Sequence, residues 1–250
     1  MSKKPNIFIV GPSGSGKSTC LRNMDPKSTI ILNTENKELP FPNKVKRTRP
    51  KKDNPTEMET VIGNRIPTIF YDTNDIKILE RFWSDFETVL KHPQYKTIII
   101  DSFTGLTEII FRVMGKIYSG FDLWGKYNEE IDKILNRSKT SDKYVVFTGV
   151  DMTIDGANGV EERAIAVQGN KWKKLVEKEF VIILYTKVTD TADSVDYNFL
   201  TNKRQGYPAK SPMDMLELLI PNDLNEVINS ADAYYDATLI DVTTPEPTNV

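Results

Sequence analysis

Residues Asn6 to Ser18 read NIFIVGPSGSGKS, a short apolar run followed by Gly11 to Ser18 in the spacing GxxxxGK[ST]. The run predicts a strand, and the residues after it, KSTCLRN, predict the start of a helix. A glycine-rich turn between a strand and a helix is a device for holding phosphate. Gly11, Gly14 and Gly16 let the backbone turn successive N–H groups onto an anion, with Pro12, Ser13 and Ser15 completing the loop. The helix N-terminus is expected to add its partial positive charge. Lys17 is placed to reach the β- and γ-phosphates, Ser18 to ligate Mg²⁺, and Thr19 to lie toward the α-phosphate.

Phosphoryl transfer also needs a carboxylate at the end of a neighbouring strand. Lys96 to Ser102, KTIIIDS, supplies Asp101 as the second magnesium anchor. Ser102 stands where many ATPases carry a glutamate that polarises water, so the base must come from elsewhere. Glu35, two residues past the run Thr29 to Asn33, is the candidate, because the same sheet edge would bring it beside the phosphate loop. The nucleotide is read as ATP. The guanine pattern NKxD is missing, TKVTD at Thr186 to Asp190 being one residue too long, and Asp101 to Gly105 is DxxxG instead of DxxG.

Outward from this centre, further strands are predicted at Thr29 to Asn33, Thr97 to Asp101, Tyr144 to Gly149 and Phe180 to Thr186. Helices are predicted at Asp75 to Lys91, Phe103 to Tyr118 and Asn128 to Asn136; in the first, Leu79, Phe82, Trp83, Phe86 and Leu90 recur every three or four residues. Apolar strands alternating with helices imply an α/β fold, a mostly parallel sheet with helices on both faces and ligands beyond the strands' carboxyl ends. Two long polar stretches, 36–67 and 151–169, interrupt the alternation and read as mobile loops.

Composition narrows the classes. At 39% hydrophobic and 27% charged, the 250 residues can bury a core. The single cysteine, Cys20, and the single histidine, His92, exclude an internal disulfide and a Cys/His zinc site and argue against a Ser-His-Asp relay. No apolar run approaches the roughly 18 residues of a membrane span, so a cytoplasmic chain is expected. Net charge is −2, but it is unevenly spread. No Lys or Arg follows Lys210, while eight acids do, from Asp214 to Glu246. Six cations crowd Lys44 to Lys52, KVKRTRPKK, a run suited to phosphate backbones. The expected organisation is therefore a core over 1–221, with a basic insertion at about 36–67, and an acidic segment over 222–250 ending in a disordered tail.

The sequence GPSGSGKST, a strand ending in NTE, then IIIDS, then YVVFTG and QGNKWKKLVEKEFVIIL together resemble the ATPase core of RecA-type recombinases. More closely, residues 6–221 are similar to the small phage-encoded RecA-like ATPases proposed as single-strand annealing proteins, the fourth Sak group. The resemblance implies a RecA-like P-loop NTPase fold in which Lys17, Ser18 and Asp101 hold Mg-ATP and Glu35 positions water. It also implies that Thr148, or Gln168 in its place, senses the γ-phosphate. By the same resemblance, Lys116 to Tyr127 and Asp151 to Gln168 would be two DNA loops, the second unusually acidic, with Tyr118, Phe121, Trp124 or Tyr127 stacking on bases. Lys203 and Arg204 match basic residues that reach a neighbouring subunit's ATP site, which makes hydrolysis depend on a homo-oligomer, a ring or a filament. The first strand begins at Asn6 without a recombinase's N-terminal assembly domain, which favours annealing over strand exchange.

The expected function is thus an ATP-hydrolysing, single-stranded-DNA-binding protein of phage recombination, with a single-strand-binding protein as a companion in the host cytoplasm. Two other classes share the phosphate loop. One is a nucleotide or nucleoside kinase, which needs a lid with arginines, although Arg112, Arg137, Arg163 and Arg204 are widely separated. The other is a replication-linked loader acting through protein partners.

Overall fold

The computed structural model describes residues 3–156, 161–190, 194–204 and 206–237. Eight strands form one sheet: β1 (Ile7–Val10), β2 (Thr29–Asn33), β5 (Thr68–Phe70), β6 (Thr97–Asp101), β7 (Tyr144–Gly149), β10 (Ile182–Asp190), β11 (Val195–Leu200) and β12 (Leu219–Pro221). Their spatial order is β12-β11-β10-β1-β7-β6-β2-β5. From β10 to β5 every neighbour pairs in parallel, while β11 and β12 close the other edge antiparallel. This is the mostly parallel α/β sheet expected of a RecA-like P-loop NTPase core.

Period-two alternation divides the apolar strand residues between two cores. Phe8, Val10, Ile30, Leu32, Ile98, Ile100, Val145 and Phe147 face α1 (Ile78–Lys91), α2 (Phe103–Gly115), α3 (Gly120–Lys139) and α4 (Asn170–Leu175). Ile7, Ile9, Ile31, Ile99, Val146, Ile182 and Leu184 face the other way. There they meet a 3-10 helix, Thr19–Asn23, and α5 (Leu224–Ala237). No helix among the described residues is long and apolar enough to cross a membrane.

All five predicted strands are present, and five expectations are corrected. The chain after the phosphate loop makes only five residues of 3-10 helix, because Asp25 and Pro26 follow directly and Asp25 caps a turn through Lys27 N and Ser28. The face a longer helix would have covered is covered instead by α5, through buried Leu224, Val227, Ile228 and Ala231. The beginning of the acidic segment is therefore part of the core; the expected disordered tail, 238–250, lies outside the described residues.

The basic insertion is not a loop but an antiparallel hairpin of β3 (Lys44–Pro50) and β4 (Met58–Asn64). Asn54 closes its turn by accepting from Thr56 N and Thr56 Oγ1, and Arg49 pairs across it with Glu59 at 2.9 Å. The second polar stretch is likewise a hairpin, β8 (Asp151–Asp155) with β9 (Glu161–Ile165). Finally, the expected first DNA loop is mostly helix, since α3 begins at Gly120, eight residues before the predicted start. Tyr127 is fully buried there and packs on Phe111 and Trp124, which removes it from any stacking surface.

Candidate nucleotide site

β1 delivers Gly11 to the carboxyl edge of the sheet, between β7 and β10. The loop then passes so close to β10 that a Cβ on Gly11 would stand 2.0 Å from Thr186 Oγ1. Ser15 Oγ hydrogen-bonds the same threonine and donates to Pro12 O at 2.7 Å, pinning the loop's middle. Pro12, Ser13 and Gly14 are exposed at the rim. Gly16 has φ 93°, a left-handed conformation that glycine adopts at little steric cost. With the short helix behind it, the cradle for an anion consists of loop N–H groups more than of a helix dipole.

Lys17 folds back on this loop, its Nζ donating to Gly11 O at 2.9 Å and Pro12 O at 2.7 Å. Burial pulls its ammonium below the usual lysine range, and the charges of Asp151, Asp101 and Glu35 push back upward. Ser18 Oγ donates to Asp101 Oδ1 at 3.2 Å, so the two predicted magnesium anchors lie side by side. A buried carboxylate next to a hydroxyl fits Mg²⁺, a hard ion that takes one or two protein oxygens and completes its shell with water and phosphate. Among the described residues there is no cluster of three His, Cys, Asp or Glu side chains that would form an all-protein cage. Burial raises the Asp101 pKa, opposed by hydrogen bonds from Thr148 and Ser18.

Glu35 sits at the next strand end. Its Oε1 accepts from Ser102 Oγ at 2.6 Å and its Oε2 pairs with Lys37 Nζ at 3.0 Å. Thr34 Oγ1 braces the arrangement by donating to Ser102 O and accepting from Ser102 N. Burial pushes the Glu35 carboxyl up, but the bonds from Ser102 and Lys37 and the Lys37 and Lys17 charges outweigh it, leaving a lowered pKa and an ionised group at neutral pH. Glu35 also lines a cleft of about 540 Å³ with Ser13 of the phosphate loop, Thr104 and Arg112. Arg112 is the one arginine of the four considered for a kinase lid that lines this cleft.

The remaining predicted residues divide. Thr148, fully buried, donates to Asp101 Oδ1 and therefore braces the expected metal anchor instead of facing the loop with a free hydroxyl. Gln168 lies between β9 and α4, next to Gly169, which packs on Trp124; it does not line the cleft. Thr19 opens the 3-10 helix and its carbonyl accepts from Arg22. Lys203 and Arg204 are exposed, and Lys203 pairs with Glu162 of β9 at 3.2 Å, so within one chain neither joins the site.

One acid of the site is missed by sequence reasoning. Asp151 accepts from the hydroxyl of Tyr185 at 2.8 Å and is the foremost charge acting on Lys17. Its place two residues past β7, the strand beside β1, is the signal that could find it, but the likeness of that segment to a DNA loop points elsewhere.

No curated protein matches the chain. Among solved structures, a KaiC-like protein from the hyperthermophilic archaeon Pyrococcus horikoshii OT3 is similar over 82% of each chain, with 11% identity and a TM-score of 0.44. The AAA domain family matches residues 3–213, which hold the phosphate loop, Glu35, Asp101 and every sheet strand but β12. An AAA-type P-loop ATPase domain accounts for both the loop and its carboxylates, and the chain belongs to the AAA domain family.

Proposed function

We propose that the protein is an ATP-hydrolysing, oligomeric, single-stranded-DNA-binding protein that promotes annealing or recombination, in line with its resemblance to phage annealing proteins. The observation that carries the DNA reading is a groove of about 500 Å³ between the first stretch compared with a DNA loop and the start of α4, which follows the second. Phe121 and Trp124 of α3 line it together with Gly169, just past the second stretch, and Asn170 and Lys171 at the start of α4. Phe121 is 96% exposed, an extreme for a phenylalanine, and an aromatic face beside a lysine suits stacked bases with phosphates alongside.

For the ATPase, the residues support a division of labour. Lys17 would exchange its two loop carbonyls for phosphate oxygens, and Ser18 and Asp101 would hold Mg²⁺, which neutralises charge on the phosphoryl oxygens. Glu35, ionised and oriented by Ser102, would accept a hydrogen bond from the attacking water. Lys203 and Arg204, exposed in the segment after β11, would be available to a neighbouring copy's site.

Fluorescence anisotropy with a labelled single strand, with and without a non-hydrolysable ATP analogue, tests the proposal. Binding that strengthens with the analogue is expected. Phe121→Ala should weaken it by about 1–3 kcal/mol without loss of fold. Absence of single-strand binding at low salt would remove the DNA role.

A further inference from the structure

The phosphate loop has a second neighbour that the hydrolytic residues do not use. A Cβ on Gly16 would meet Tyr197 Cδ1 at 3.0 Å and Asn222 Oδ1 at 3.2 Å. Asn222 is 2% exposed, yet neither its Oδ1 nor its Nδ2 has a hydrogen-bond partner among the described residues. Its backbone, by contrast, is firmly fixed: Asn222 N donates to Tyr197 O at 3.2 Å, and Asn222 O accepts from Arg22 Nη1 at 2.8 Å. Next to it, Asp223 accepts from Asn23. The turn from β12 to α5 is thus fastened to the 3-10 helix behind the loop, and it holds a carboxamide with a free donor and a free acceptor against Gly16. Buried polar groups are nearly always paired, so an amide unpaired at both ends asks for a partner.

The direction of the nucleotide says which part of it that partner is. Asp101 on β6 and Glu35 beyond β2 mark the γ-phosphate end, on the β7 side of β1. The ribose and base must then run past Thr19 toward the other side, where β10, β11 and β12 lie. Tyr197 is on β11 and Asn222 directly follows β12.

We infer that Asn222 and Tyr197 form a base-recognition subsite that selects adenine: the Asn222 carboxamide pairs with the 6-amino group and N7, and the Tyr197 ring stacks on the base. A carboxamide offers one acceptor and one donor side by side, the complement of adenine's N6–H and N7, whereas the six-position carbonyl of guanine or hypoxanthine would face Oδ1 with a second acceptor. Tyr197, 44% exposed on the outer part of the sheet, is the movable cover; turning its ring from Gly16 opens the amide to the base. The subsite supplies a positive basis for ATP in a chain whose sequence shows only the lack of a guanine motif. It rests on the nucleotide-binding reading.

The test is competition, on the full chain with Mg²⁺, of ATP, inosine triphosphate and GTP against a fluorescent ribose-labelled ATP. For the native protein ATP should displace the probe at about tenfold or more lower concentration than either competitor, the scale of one good bidentate base pairing. Asn222→Leu, close in shape, should lower ATP affinity by about the same factor and bring the three nucleotides to near equality, with circular dichroism unchanged. Tyr197→Leu, at an exposed position, should weaken all three together. Equal displacement by the three nucleotides in the native protein overturns the subsite, and so does an Asn222→Leu chain that still prefers ATP. Those results leave the phosphate loop standing if Lys17→Ala abolishes probe binding. A native chain that binds no probe overturns both readings.

Discussion

Glu35 takes a hydrogen bond on each carboxylate oxygen, from Ser102 on the strand side and from Lys37 on the solvent side. In the proposed role, a group so oriented and held ionised would act by position more than by strong basicity, because its lowered pKa makes it a weak proton acceptor. Glu35→Gln should therefore keep nucleotide binding and reduce single-turnover hydrolysis by about two or more orders of magnitude. Hydrolysis at the native rate would assign the role to another acid, with Asp151, whose charge also acts on Lys17, the alternative. At this scale much of the site is legible in the sequence: the spacing of Gly11 to Ser18 dictates a backbone shape, and Asp101 follows an unmistakable apolar strand. The roles of Thr148 and Asp151 are not legible, because they depend on what stands opposite them. A threonine ending β7 faces Asp101 only because β6 and β7 are neighbours, which no local pattern reveals.

Elements are legible where burial imposes a period and obscure where it does not. The five inner strands and α1 carry apolar residues on faces that must be covered. The β3–β4 hairpin covers little, its residues being mostly exposed, so its alternation of Lys, Arg and Thr looks like a charged loop. Half of its charge is also answered internally, by Glu59 to Arg49, Glu57 to Lys51 and Glu38 to Lys44. Such exposed pairs stabilise by about 0–1 kcal/mol and yield readily to phosphate. Replacing Lys46, Arg47 and Lys52 with glutamine should lower the slope of log affinity for single strands against log salt, by about 0.7 for each phosphate no longer neutralised. An unchanged slope would give the hairpin to solvent. For α5, acidity hides the stripe Leu224, Val227, Ile228 and Ala231 that seals the second core. Leu224→Ala should cost about 2–5 kcal/mol in denaturant unfolding, the penalty of a buried cavity, whereas a loose appendage would lose almost nothing.

For the whole molecule, one sheet edge gathers the chemistry. The phosphate loop, Asp101, Glu35 and Asp151 stand at the carboxyl ends of β1, β6, β2 and β7, the region where parallel sheets place their ligands. Tyr197 and Asn222 join them from the antiparallel edge. Lys203 and Arg204 are exposed and do not line the cleft at that centre, and Phe121 lies on α3. In the proposed function a second copy would bring its cations to the first copy's phosphates, and a DNA strand would link the copies. Steady-state ATP turnover, followed over a range of protein concentrations with and without single-stranded DNA, tests that coupling most directly. The account predicts turnover that rises more steeply than protein concentration and is stimulated by the strand. Turnover strictly proportional to protein and indifferent to DNA would contradict it.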